Sequence, residues 1–172
     1  MKINLQEDAE KILNYIRQRV KDFDPETNGG PGDGQTVHQI DIGYAHTQWG
    51  FLTLIFDTRP DAEPDGEWNS YIEESSLELP HWGTAFEALC EDKEIAFTHR
   101  DGRTEKISEY PGEEEYAEMF GEMLKELLLE ARDAGVFADL PTAETCNIGI
   151  EEHDGRYGWP MYEDRGKPET TL

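Results

Sequence analysis

Cysteine is nearly absent: Cys90 and Cys146 are the only two in 172 residues. That excludes a disulfide framework, and their separation lacks the paired spacing of a zinc site, so both are expected to be reduced thiols. Basic residues are also few, 15 Lys and Arg against 39 Asp and Glu, for a formal charge of −24. Phosphate backbones and anionic lipid surfaces attract the opposite sign, so neither nucleic acid nor a membrane is expected as a ligand. No apolar run approaches the roughly 18 residues of a membrane span, and the opening MKINLQEDAEKIL carries no apolar leader. A soluble, cytoplasmic protein is expected.

What is present is enough for a core. Hydrophobic residues make up 36% and aromatics 10%, with four Trp, too aromatic for a disordered chain. The length suits one domain over residues 1–172. Leu5, Ala9, Ile12, Leu13, Ile16, Val20 and Phe23 recur at three and four, the stripe of a helix over 5–23. Asp24-Pro25 ends it, and the glycine-rich stretch that follows predicts a mobile loop near 24–36. Ile40, Ile42 and Tyr44 alternate with Gln39, Asp41 and Gly43, a half-buried strand. Trp49–Phe56 (WGFLTLIF) is apolar on both faces, which predicts a central strand hairpinned to the first.

A Pro- and Asp-rich loop is expected over 58–67, and Tyr71–Leu79 is read as a short strand. Trp82, Ala85, Phe86, Leu89 and Cys90 form a helical stripe over 81–91, with Pro80 at its start. Asp101-Gly102 predicts a second hairpin between 94–99 and 103–110. The clearest element is a helix over 112–134, acidic at its amino end and closed by Gly135. Cys146–Glu151 is a last strand, after which Tyr157 and Trp159 lead into a polar tail. The order lacks regular strand–helix alternation, so the fold class is α+β. The expected form is a mainly antiparallel sheet of about five or six strands. About three helices should pack chiefly on one face, with the core on strand 49–56 and helix 112–134.

Chemical signatures are sparse. Asp61, Glu63, Asp65 and Gly66 imitate the opening of a calcium loop, but the twelfth position is Ile72 and Glu73 falls one late. Asp24, Glu26, Asn28 and Gly29 do the same, with Gln35 in the closing place. His38, His46, His81, His99 and His153 form no metal-binding pair on a helix. His46 with Asp41, or His153 beside Asp154, would make a carboxylate-oriented base, though such adjacency is expected by chance in an acidic chain. Cys90 and Cys146 fall in apolar patterns and read as inert core thiols. The Glu73/Glu74, Glu113/Glu114 and Glu151/Glu152 pairs read as solvated faces. No nucleophile elbow, phosphate loop or dinucleotide fingerprint occurs. No catalytic residue, metal or cofactor is assigned.

Trp49 and Trp82 sit inside apolar patterns and belong to the core, whereas Trp68 and Trp159 lie in polar, turn-rich surroundings. An indole ringed by carboxylates suits an interface anchor. The partner-binding set is therefore Trp68 and Trp159 with Asp61, Glu63, Asp65 and Glu67 of the acidic loop. The charge has three readings: a solubility trait of a salt-adapted organism, cation binding, or a surface complementary to a basic protein. A basic protein is the expected partner, because opposed charge speeds encounter and fixes orientation. The alternative is a metal-binding module or metal-dependent hydrolase built from the acidic loops and scattered His.

The carboxy-terminal half adds a resemblance. Leu124–Phe137 (LKELLLEARDAGVF), the strand Cys146–Asp154 (CNIGIEEHD), and Trp82–Leu89 (WGTAFEAL) earlier in the chain resemble an uncharacterised bacterial domain-of-unknown-function family. There a long helix ending before Gly-x-Phe leads into a terminal strand. Some related acidic α+β families act as immunity proteins against secreted toxins, so the resemblance implies a non-enzymatic role. The loops at 28–34 and 58–67 depart from that pattern, and no binding residue is carried over.

Overall fold

A computed structural model describes residues 1–24, 35–47, 50–60 and 76–159. The chain runs β1 (Lys2–Asn4), α1 (Leu5–Lys21), β2 (Val37–Ala45), β3 (Phe51–Asp57), β4 (Leu77–Glu78), α2 (Pro80–Cys90), β5 (Ile95–Thr98), β6 (Thr104–Ile107), α3 (Glu113–Asp133), β7 (Thr142–Glu152) and β8 (Gly158–Trp159). The class is α+β with three helices, as the patterning predicts. The strands make two sheets, however, ordered β1-β5-β6 and β4-β3-β2-β7-β8.

Both sheets are mixed. β2 pairs antiparallel with β3, from Gln39 opposite Asp57 to Ala45 opposite Phe51, as the hairpin reading requires. Its other edge takes β7 in parallel, Ile40 beside Ile148 and Ile42 beside Ile150. β2, rather than the more apolar β3, is thus the middle strand of five. β1 lies parallel to β5, Ile3 beside Phe97. No periodicity announces a strand of three residues that runs straight into a helix, so the expected single, mainly antiparallel sheet gives way to two.

The helices carry their own start and stop signals. Asn4 caps α1 by accepting from the Gln6 N–H at 3.2 Å and donating to Glu7 at 2.7 Å. α3 is closed off by Gly135, two residues past its end, at φ +71°. The Val136 N–H returns to the Ala131 carbonyl and the Gly135 N–H to Arg132, at 3.0 and 2.9 Å, a paired closure that only a left-handed residue permits. α2 stops at Cys90, whose side chain is exposed. It sits about 100° round the helix from buried Leu89, which corrects its reading as a core thiol.

One hydrophobic cluster joins both sheets and all three helices. The inner face of the large sheet, including Ile40, Ile42, Tyr44, Leu54 and Phe56, is fully covered. Phe23, just past α1, meets Phe56 edge-on, Tyr44 meets Phe120 of α3, and the Tyr44 hydroxyl donates to the Ala117 carbonyl at 2.7 Å. Trp82 stacks on Phe120 at 4.3 Å and ties α2 to the same core. The helices therefore share one face of that sheet. β3 is buried at six of its seven residues and α3 carries buried residues along its length, from Tyr116 to Ala131.

Candidate functional site

The small sheet stops short of covering α3. β5 and β6 turn about Arg100-Asp101-Gly102, with Gly102 at φ +83°, the Gly102 N–H on the His99 carbonyl and the Arg103 N–H on the Asp101 carboxylate. At the tip, Arg100 reaches across to Glu130 of α3 at 2.7 Å. Ile107 leads through Tyr110, Pro111 and Gly112, at φ +97°, back into α3. Between the hairpin and the helix runs a groove of about 880 Å³.

Its floor is apolar and its rim anionic. Leu5, Trp82, Phe97, Met119 and Met123 lie beneath. Asp101, Glu105, Glu109, Glu115, Glu122 and Glu126 set six carboxylates around them against the guanidiniums of Arg100 and Arg103. Glu105 is 3.0 Å from His99. Glu122 accepts from the Tyr157 hydroxyl at 2.6 Å and pairs with Lys125 at 3.1 Å. Burial works against its charge, yet those two donors outweigh it and hold the carboxyl below the usual range. Glu109, Glu115 and Glu126 are exposed and make no ion pair among the described residues. Tyr110, 42% exposed, stands at one end with its ring against Phe86.

Two imidazole–carboxylate contacts, one buried and one partly exposed at His81, lie nearby. His46, at the end of β2, is wholly buried against Phe86 and Tyr116. Its Nδ1 is 3.3 Å from Glu152, itself 1% exposed at the end of β7. Glu152 also accepts the N–H groups of Asp154 and Arg156 at 2.8 and 3.2 Å. Burial opposes its charge, but His46 and the two N–H groups prevail and lower its pKa. In the second contact Asp8, 2% exposed, meets His81 Nε2 at 2.8 Å and accepts from Trp82 Nε1 at 3.0 Å. The Asp8–His81 geometry resembles an oriented base, but the same Oδ2 also holds Trp82, so it fastens α1 to α2. The Cys146 thiol is pushed up to about 12 by burial, reinforced by Asp41, so it carries no thiolate at neutral pH.

Against these positions the sequence-based candidates divide. Trp68, Asp61, Glu63, Asp65 and Glu67 lie outside the described residues, as do most of both calcium-like loops and Glu73 and Glu74. Trp159 is half-buried on β8, packed against the core with the Lys125 ammonium 5.5 Å from its ring centre. His46 faces Glu152, not Asp41, because strand alternation puts positions 44, 46 and 152 on the inner face. For the same reason Glu152 is buried, correcting its reading as part of a solvated pair. Asp8 carries a signal in the sequence, a carboxylate in line with Leu5, Ile12 and Ile16 on an apolar stripe. Among the described residues no group of three His, Cys, Asp or Glu is placed to hold a metal, and no helix is long and apolar enough to cross a membrane. Comparison of the chain with family models, curated proteins and solved structures gives no match.

Proposed function

We propose that this is a non-catalytic binding protein whose partner is a basic protein, held in the manner of an immunity protein that masks a toxin. The observation that carries the reading is the groove between the β5–β6 hairpin and α3. An apolar floor supplies contact area, while a rim with six carboxylates against two guanidiniums selects and orients a cationic surface. The charge of −24 extends that field over the molecule.

The test is calorimetric titration of the protein with the basic proteins encoded beside its gene. The reading expects one of them to bind, and expects Glu109→Lys, Glu115→Lys and Glu126→Lys together to weaken it by about 10- to 100-fold. These three carboxylates make no ion pair among the described residues, so the fold should tolerate their reversal. Binding of none of the candidates, or equal affinity in the reversed variant, overturns the reading.

A further inference from the structure

We infer that the partner enters the groove as an extended segment that pairs with β6 and adds a fourth strand to the small sheet. This rests on the binding role proposed above and specifies its geometry. Among the described residues β6 pairs with β5 alone. The Ala96 N–H points away from β6, to the Met1 carbonyl, while the His99 N–H points toward it, to Arg103. With Ala96 opposite Lys106 and Thr98 opposite Thr104, antiparallel alternation turns the backbone N–H and C=O of Thr104 and Lys106 outward.

The other sheet treats its margins differently. β4 and β8 are two residues each, and beyond β4 the Leu54 N–H donates to the Tyr15 hydroxyl at 3.0 Å. β6 offers a longer edge, and it opens onto the groove.

Side-chain direction fixes the chemistry of the added strand. Glu105 and Ile107 share the inner face with Phe97 and Ile95, so alternate residues of a neighbouring strand point onto α3. There they meet Met119 and Met123, bordered by the carboxylates of Glu115, Glu122 and Glu126. Arg or Lys fits both features at once, its aliphatic stem on the methionines and its charged head among the carboxylates. The partner is thus a strand with a cation at every second position, recognised by main-chain pairing and by those heads.

A peptide of four Arg-Thr repeats is the probe. It should bind the unaltered protein and Lys106→Ala. Lys106→Pro, which removes one outward donor without touching the β5 side, should weaken binding about tenfold or more. Hydrogen exchange on the unaltered protein gives a second readout, in which the Thr104 and Lys106 amides slow when the peptide binds. If Lys106→Pro binds normally, or those amides gain no protection, while the triple Glu→Lys variant loses the peptide, strand addition is wrong and the binding role stands. Peptide binding that ignores both changes overturns the two together. A concentration-dependent dimer of the protein alone, abolished by Lys106→Pro, would make a second copy the occupant and overturn the inference.

Discussion

Gly121 of α3 packs against Tyr44 of β2 and against Tyr157, the residue before β8. A Cβ there would lie 2.6 Å from the Tyr44 hydroxyl and closer still to the Tyr157 ring. Alanine in an open helix position gains about 1 kcal/mol over glycine, but overpacking of this kind costs about 1–3 kcal/mol. Both tyrosines are tethered, one to Ala117 and the other to Glu122, so the crowding should win. Gly121→Ala is expected to lower the urea midpoint, and a rise would show that the Tyr157 ring yields freely. Glu152 supplies a second expectation. Its folded pKa lies below the unfolded value, so the unfolded chain takes up the proton first as acid is added. Its contribution is present above about pH 5 and declines below that. Glu152→Gln should cost roughly 1–2 kcal/mol at pH 7 and flatten the fall in stability as the pH drops below about 5. Parallel curves for variant and parent would remove Glu152 from the acid response.

At the scale of elements, what the sequence disclosed was whatever local patterning determines. α1, α2 and α3 appear within a few residues of their expected ends because apolar spacing, Asn4, Pro80 and Gly135 are all local signals. The two hairpins were equally readable from alternation and from Asp101-Gly102. Partnership between distant segments was not. Nothing in Thr142–Glu152 says that it lies parallel to β2, and Lys2–Asn4 is too short to show a period. The groove was hidden for the same reason. Its floor draws on β5 and three helices, and its carboxylates had no mark to separate them from others in an acidic chain. Composition alone points to exposed contact residues in the loops.

For the whole molecule, surplus anionic charge opposes compaction. Raising NaCl from 0.1 to 1 M shortens the screening length from about 10 to about 3 Å. Relief of about 1–2 kcal/mol of self-repulsion would raise Tm by roughly 3–6 °C in a chain this long. A fall in Tm would show that ion pairs such as Arg156 with Glu113 and Asp154 outweigh the repulsion. The same salt should weaken the Arg-Thr peptide, so stability and affinity are expected to move in opposite directions. The parallel seam between β2 and β7 bears on how the molecule is made in the cell. Residues 37–45 acquire their second flanking strand only once residues 142–152 have left the ribosome. Such long-range pairing is a slow step in folding. The nascent polypeptide therefore travels with half a barrier against wrong partners, and a stalled translation product ending before that point is a substrate for chaperones and proteases.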